Sequence, residues 1–262
     1  MGLAKAPPRW STNGVEIYSN VVIVTPVGIS NTIFATPVAK AVKAASPASY
    51  ISFVCEEKMR DLLITVCPSV DDVVDEAAFY GSDDRVKFLR SLKPDLVINL
   101  TQETLTHDLM SELTRFFTRQ SKLLELERPK NAPATEHIVD EFLSVVGQVG
   151  IMRPEQPFPT MFPEALKETL VHEVFAANGL TMGDPVVGLV PGVGKGFGTK
   201  AWIADGYKYL IDSIKQNLGL RCILIGGEAD AELCAQIAAE PEAETCINLG
   251  GKVTLTEAAA IL

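Results

Sequence analysis

Short apolar runs of strand length alternate with segments of helical periodicity along most of the chain. The first run is Val-Val-Ile-Val at residues 21–24, and in the segment that follows it apolar residues recur at the spacing of a helix. Because strands separated by helices form parallel sheets, this alternation predicts an α/β fold. The clearest strands up to residue 146 are 21–24, 50–54, 72–75, 96–100 and 122–126, and the helices are 32–45, 57–66, 83–92, 108–117 and 136–146.

A proline-rich segment separates this series from a second one. Pro154, Pro157, Pro159 and Pro163 lie close together, which is typical of a linker. The second series has predicted strands at 186–190, 221–225 and 245–249, and helices at 163–178, 205–218, 230–239 and from Leu255. We therefore divide the chain into an N-terminal extension (1–20), a first Rossmann-like domain (21–150), a linker with a connecting helix (151–182) and a partial second domain (183–262).

The second series is shorter than the first. It has three predicted strands against about six expected in the first, and it stops within a helix at Leu262. A sheet of three strands leaves much of its edge uncovered. We therefore expect the chain to be a C-terminally shortened form of a longer two-domain architecture.

Composition and charge exclude several classes of protein. The net charge of −10 is the opposite of what nucleic-acid-binding proteins usually carry. No apolar stretch reaches the roughly 18 residues that span a bilayer, and residues 1–20 lack the apolar region of a signal peptide. The apolar stripe of helix 108–117 favours packing on the core, with peripheral membrane contact as the alternative. The five cysteines form no CxxC pair, which favours reduced core thiols in a cytoplasmic protein.

A glycine-rich loop at 191–200 follows strand 186–190, at the edge where parallel sheets bind ligands. Glycines let backbone N–H groups approach phosphate oxygens, and lysines add positive charge. The loop fits neither the Walker A pattern nor G-x-G-x-x-G. We interpret it as a diphosphate-binding loop of another type, with a flexible, solvated loop as the alternative. Its candidate residues are Gly192, Gly194, Lys195, Gly196, Thr199 and Lys200.

The turn after strand 221–225 carries a second candidate residue, Glu228. A carboxylate there can accept hydrogen bonds from ribose hydroxyls. The alternative is an acidic residue at the entry to a helix, which the helix dipole favours. The three histidines have no metal-ligand spacing, so the sequence predicts no metal site.

In the first domain, the turn after strand 21–24 contains Gly28, Ser30, Asn31 and Thr32. It lies at the corresponding ligand edge of the first sheet. The alternative interpretation is that Ser30 or Asn31 caps the helix that follows, since both residue types are common N-caps.

The ordered set of these segments resembles glycosyltransferase family 9, the bacterial heptosyltransferases. Residues 30–37 are similar to the family's entry into its first helix, and 41–54 to that helix and the second strand. Pro191-Gly192 with Lys200 and Trp202 is similar to its Pro-Gly…Lys-x-Trp pattern. Residues 225–228 and 249–255 are similar to the next two motifs, in the same order, so that the resemblance covers about residues 21–262.

The resemblance implies a GT-B enzyme with two facing Rossmann-like domains and the active cleft between them. The donor would be a nucleotide-diphosphate sugar, typically ADP-heptose, and the acceptor would be the inner core of lipopolysaccharide or a related glycan, contacting the loop with Gly28, Ser30 and Thr32. Lys200 would neutralise the diphosphate as it leaves, with no metal and no cofactor. Glu228 would bind the ribose and Val253 would lie near the base. The protein would be cytoplasmic, at the inner face of the inner membrane.

Two departures from the family pattern bear on activity. Asn31 occupies the position of the Asp expected to deprotonate the acceptor hydroxyl, and an amide cannot act as a general base at neutral pH. The family's later Asp-x-Gly-x-x-His segment would lie beyond Leu262. Three hypotheses follow: a sugar transferase, a catalytically silent relative that still binds nucleotide or glycan, and an unrelated dehydrogenase-like domain.

Overall fold

A computed structural model of the protein divides the chain into two compact units, Met1–Met161 and Phe162–Leu262. In its described part, the first unit has a parallel sheet of five strands and the second a parallel sheet of three. The predicted α/β class with two parallel sheets is therefore confirmed, whereas the domain boundaries within each unit stay predictions. The described residues are 17–80, 88–89, 91–101, 122–126, 136–159, 161, 169, 171–192, 202–239 and 246–261.

The first sheet has the strand order β3-β2-β1-β4-β5, and every neighbouring pair is parallel. Its strands are β1 (Asn20–Val24), β2 (Tyr50–Cys55), β3 (Asp72–Asp75), β4 (Leu96–Asn99) and β5 (Lys122–Glu125). Each strand lies within one residue of its predicted bounds, while the expectation of about six strands exceeds by one the number among the described residues. Val21, Val22 and Ile23 are completely buried, as in a parallel sheet covered on both faces.

The helices described in the first unit are α1 (Ile29–Ala45), α2 (Arg60–Val66), α3 (Glu76–Tyr80) and α4 (Ile138–Gly147), with a 3-10 turn at Glu57–Met59 before α2. The sequence did not predict α3, because five residues are too few for a helical period to show. Of the predicted helix 83–92 only residues 88, 89, 91 and 92 are described; the first three are helical and residue 92 forms a turn. The predicted helix 108–117 lies outside the described residues.

Helix α1 continues through a proline. Pro37 has no N–H to donate to the carbonyl oxygen of Ile33, four residues earlier. The Thr36 hydroxyl donates to that oxygen instead, with Oγ1 and O 2.8 Å apart. The side chain before the proline therefore satisfies the carbonyl group that the proline leaves open, and α1 keeps its full length of 17 residues.

The second sheet has the order β6-β7-β8, again all parallel. Its elements are α5 (His172–Ala177), β6 (Val186–Leu189), α6 (Ala204–Leu218), β7 (Arg221–Leu224), a 3-10 turn (Glu228–Asp230), α7 (Ala231–Ala238), β8 (Cys246–Asn248) and α8 (Leu255–Ile261). A reciprocal capping box starts α8: Glu257 Oε2 accepts from the Thr254 N–H at 2.6 Å, and Thr254 Oγ1 accepts from the Glu257 N–H at 3.2 Å.

Helix α5 packs within the second unit. Val171 and Phe175, at 4% and 6% exposure, belong to one apolar cluster with Ile223 and Ile247 of the second sheet. Of the predicted connecting helix 163–178 only residues 169 and 171–178 are described. By its packing, this end of the helix is part of the second core.

The five cysteines are free thiols, four of them buried. Burial raises the pKa of Cys55 and of Cys246 to about 12. Burial likewise raises the pKa of Cys67, Cys222 and Cys234 above the ordinary value of 9.0. The prediction that the cysteines are reduced thiols of the core therefore agrees with the structure.

These pKa values predict slow thiol chemistry, because the thiolate is the reactive form. We expect iodoacetamide at pH 8 to modify none of the five cysteines quickly in the native protein and all five after unfolding in guanidinium, as counted by mass spectrometry. Since the unfolded thiols ionise at lower pH than the folded ones, the free energy of unfolding should fall as the pH rises above about 9. Rapid modification of one native cysteine would contradict this assignment.

Candidate functional site

The first sheet has its ligand edge at the carboxyl ends of β1 and β4. Ligands of open parallel sheets bind where the strand order reverses. Here β2 and β3 extend the sheet on one side of β1, and β4 and β5 extend it on the other. The turn between β1 and α1, with the predicted residues Gly28, Ser30, Asn31 and Thr32, therefore lies at this reversal point.

Gly28 begins the turn into α1 in a conformation that other residues rarely adopt, with φ of +111°. It is the N-cap of α1, so the helix starts at Ile29, three residues before the predicted start. Ser30 and Asn31 are thus inside the first turn of the helix, and the cap makes no side-chain hydrogen bond. The interpretation of Ser30 or Asn31 as the N-cap is wrong, because the glycine makes the chain turn earlier.

The Asn31 side chain folds back onto the turn. Its Nδ2 donates to the carbonyl oxygen of Val27 at 2.8 Å, while Asn31 itself stays half-buried. Ser30 beside it is exposed. The amide thus acts as a hydrogen-bond donor to its own turn, a contact that a carboxylate could not make.

Thr32 ties the same turn to the sheet. Its side chain is buried, its hydroxyl donates to the Gly28 carbonyl oxygen at 3.2 Å, and its Oγ1 lies 3.4 Å from Thr25 Oγ1. The Thr25 hydroxyl in turn donates to the Val54 carbonyl oxygen at 3.2 Å. Thr32 therefore holds the loop in place, and of the predicted loop residues Ser30 is exposed while Gly28 and Asn31 are half-buried.

Polar residues that were not among the predicted site residues lie at the end of β4. Asn99 is in register with Val24 and only 2% exposed, and its Oδ1 accepts from the N–H and the hydroxyl of Thr101 at 3.0 and 2.8 Å. Both residues lie across the reversal point from Gly28. The available signal was a polar residue inside the apolar run 96–100, at its carboxyl end.

Two further carboxylates stand at this edge, Glu56 after β2 and Glu76 after β3. Burial raises the pKa of Glu76, and repulsion from the Glu56 and Asp75 carboxylates raises it further by a smaller amount. Lys58 Nζ pairs with Glu56 Oε1 at 2.7 Å. Glu56 Oε2 and Glu76 Oε2 are both buried without a hydrogen-bond partner in the described structure. The Glu76 carboxyl group therefore holds its proton to higher pH than an ordinary glutamate.

In the second unit, Gly192 and Asp230 meet at the carboxyl edge of the sheet. A Cβ added at Gly192 would lie 2.2 Å from Asp230 Cγ, so any larger residue there would require the Asp230 carboxyl group to move. The Asp230 Oδ2 also accepts a hydrogen bond from the Gly227 N–H at 3.0 Å. Gly192 was a predicted site residue and Asp230 was not, because nothing in the local sequence reveals their contact.

The turn after β8 packs against the turn after β7. Gly251, with φ of +70°, donates its N–H to the Gly226 carbonyl oxygen at 3.0 Å. A Cβ added at Gly251 would lie 3.6 Å from Glu228 Cα. The fold therefore brings together the two predicted motifs at 225–228 and 249–255.

Glu228 and Val253 differ in their surroundings at this edge. Glu228 is exposed at the start of the 3-10 turn, whereas Val253 is half-buried against the apolar cluster that contains Ile225 and Leu249. Lys252, which sequence analysis did not single out, is exposed, and its Nζ donates to the Asn248 carbonyl oxygen at 2.9 Å. This edge thus offers a carboxylate, an ammonium group and an apolar side chain on adjoining turns.

The rest of the glycine-rich loop lies outside the described residues. This concerns Gly194, Lys195, Gly196, Thr199 and Lys200. Within the described ranges no three His, Cys, Asp or Glu side chains are grouped so that they could hold a metal ion. The roles given to the loop residues stay predictions, as does a reaction without metal.

The comparison with family sequence patterns decides the classification. The pattern of glycosyltransferase family 9 (heptosyltransferase) matches residues 104–262, more than half of the chain. The chain belongs to glycosyltransferase family 9. The match includes the turns at Gly192, Glu228 and Gly251. It begins after Asn31, so the assignment of Asn31 to the family's general-base position rests on the sequence resemblance alone.

Solved structures of family 9 proteins share the fold. A family 9 glycosyl transferase from Veillonella parvula DSM 2008 has a TM-score of 0.73 at 23% identity, over 93% of this chain and 73% of that one. E. coli ADP-heptose LPS heptosyltransferase II has 0.67 at 19%, over 92% and 76%. E. coli heptosyltransferase WaaC with ADP has 0.64 at 16%, over 92% and 77%. The fold is therefore the GT-B type of the heptosyltransferases. A comparison with curated proteins found no match.

Proposed function

We propose that this family 9 protein transfers a sugar from a nucleotide-diphosphate donor to a glycan acceptor. Membership in the family across the second unit is the observation that carries the proposal. The dehydrogenase-like hypothesis has no comparable support, because the chain has no G-x-G-x-x-G turn.

The proposed donor is ADP-heptose. The related E. coli WaaC has been solved with ADP and with ADP-2-deoxy-2-fluoro heptose. In this chain, the turn at Gly192 and the loop up to Lys200 would bind the diphosphate, with Lys200 neutralising the charge that develops as the ADP leaves. Glu228 is exposed on the adjoining turn, where its carboxylate is free to accept hydrogen bonds from ribose hydroxyls. Val253 would contact the base.

The proposed acceptor is the inner core of lipopolysaccharide or a related glycan, bound at the edge of the first sheet. Gly28, Ser30 and Asn31 supply the accessible polar groups there. The reaction would take place on the cytoplasmic side of the inner membrane, where such an acceptor is exposed, with peripheral contact to the membrane surface. None of the described helices is long and apolar enough to cross a membrane.

A second candidate is a catalytically silent relative that binds nucleotide or glycan without turnover. The hydrogen bond from Asn31 Nδ2 to the Val27 carbonyl oxygen favours this candidate, because an amide committed as a donor cannot remove a proton from an acceptor hydroxyl. The two candidates share donor binding and differ in the transfer step.

Calorimetric titration with ADP, UDP, GDP and NAD tests donor binding in both candidates. We expect ADP to bind and the other three to bind more weakly or not at all. Release of ADP from ADP-heptose in the presence of a lipopolysaccharide inner-core acceptor then separates a transferase from a silent relative. Binding of NAD without ADP would overturn the proposed function.

Replacement of Glu228 tests the assignment of the ribose site. Glu228→Ala should weaken ADP binding by about 10- to 100-fold, the cost of losing hydrogen bonds to a charged group. Glu232→Ala, which removes an exposed carboxylate from the next helix, is the matched control and should leave the affinity unchanged. Equal affinities for the two variants would place the ribose elsewhere.

A further inference from the structure

One carboxyl group holds two of the three turns at the carboxyl edge of the second sheet. Asp230 Oδ2 accepts from the Gly227 N–H at 3.0 Å, in the turn after β7. The same group packs against Gly192, in the turn after β6, where an added Cβ would lie 2.2 Å from both Cγ and Oδ1. It also lies against Gly226, where an added Cβ would be 2.8 Å from Asp230 Cβ. Two glycines, Gly192 and Gly226, thus leave space that one aspartate fills.

The position of Asp230 at a helix start accounts for only part of this arrangement, because its hydrogen bond from the Gly227 N–H is the capping contact of the 3-10 turn Glu228–Asp230. Asp230 is the N-cap of α7, and an N-cap aspartate ordinarily accepts a hydrogen bond from the first turn of its own helix. Here its side chain makes no such bond. It accepts instead from Gly227, the N-cap of the 3-10 turn before α7. Capping does not account for the close approach of the same carboxyl group to Gly192, in the turn after β6.

We propose that Asp230 is a positioning residue for the sugar-nucleotide donor. Its carboxyl group fixes Gly192 against the turn at Gly226-Gly227, and this holds Gly192 and Glu228 in a single geometry. Fixing these groups before the donor arrives lowers the entropy cost of binding. The inference rests on the proposed donor binding at this edge.

The shape and the acceptor oxygen of Asp230 carry this role, and its negative charge does not. A carboxylate close to a bound diphosphate repels it, since like charges at short range are unfavourable. Asparagine has the same shape, and its Oδ1 can still accept from the Gly227 N–H. Alanine keeps neither feature. The two substitutions therefore separate positioning from direct use of the charge.

Calorimetry with ADP provides the first test. Asp230→Ala should weaken ADP binding by about tenfold, the effect of roughly one hydrogen bond, whereas Asp230→Asn should stay within about threefold of the wild type. In the transfer assay Asp230→Ala should raise the KM for the donor and leave kcat unchanged. The Gly227 amide, followed by NMR hydrogen exchange, should exchange faster in Asp230→Ala and not in Asp230→Asn.

A compensating pair provides the second test. Gly192→Ala places its Cβ within the Asp230 carboxyl group, so we expect loss of ADP affinity and a lower melting temperature. Adding Asp230→Ala removes the three clashing atoms, Cγ, Oδ1 and Oδ2, and should restore the affinity to that of Asp230→Ala alone. Gly183→Ala is the control, because no atom lies within 4 Å of its added Cβ and its φ is ordinary.

The outcomes distinguish this inference from the proposed function. If Asp230→Asn binds ADP as weakly as Asp230→Ala, the donor site uses the charge, and the positioning role is overturned. Unchanged ADP affinity in Asp230→Ala would overturn it as well. A wild-type protein that does not bind ADP would instead overturn donor binding and the role that depends on it, while exchange at Gly227 would still show whether Asp230 fixes the turns.

Discussion

The Asn31→Asp variant is expected to transfer sugar at least about 100-fold faster than the wild-type chain, the usual effect of a positioned general base. In the wild type, Asn31 Nδ2 donates to the Val27 carbonyl oxygen at 2.8 Å. A carboxylate cannot donate and is repelled by that oxygen, so it should turn away towards the open edge of the sheet. Its charge is favoured there, because residue 31 lies in the first turn of α1, whose dipole stabilises an anion.

The measurement is the initial rate of ADP release from ADP-heptose with and without an inner-core acceptor. The affinity for ADP, measured in parallel, should not change, which attributes the effect to the transfer step. Asn31→Ala is the control: it removes the amide without adding a base and should stay as slow as the wild type. If the wild type and Asn31→Asp transfer sugar equally fast, residue 31 is not the base position, and Glu76 becomes the next carboxyl group to replace at this edge.

Phe142→Ala is expected to lower the free energy of unfolding of the first unit by about 3–5 kcal/mol, the usual cost of a large cavity left by an aromatic side chain. Phe142 is completely buried in α4, and α4 packs against α1. The cavity would lie in the core that holds α1, the helix whose first turn contains Asn31. Loss of this packing should therefore also lower any activity that depends on the Gly28–Asn31 turn.

Hydrogen exchange of the β1 amides measures this free energy, since the most buried strand opens only with its whole unit. Ser144→Ala, on the exposed side of the same helix, is the matched control, and we expect a change within about 0.5 kcal/mol. A cost below about 1 kcal/mol for Phe142→Ala would mean that the core collapses around the missing ring.

The local pattern of the sequence determined most of the regular structure. The strands of the first sheet agree with their predicted bounds to within one residue, because each is a short apolar run whose neighbours break the period. The glycine-rich turns were also predictable, since they follow strands directly. The local pattern did not predict where α1 begins, because the backbone conformation of one residue sets that point. The positive φ of Gly28 starts the helix earlier than expected. The local pattern also failed for α3, which is a little longer than one turn.

The tertiary structure alone decided which polar groups meet. The order β3-β2-β1-β4-β5 sets Asn99 beside β1, although the two strands are far apart in the chain. In the second unit, the pairing of β6 with β7 brings Gly192 against Asp230. Such contacts depend on strand order and register, which follow from the packing of whole sheets and helices. The sequence therefore determined the family, the strands and the loops, while the fold decided that Asn99 lies beside β1 and that Asp230 joins the turns at Gly192 and Gly227.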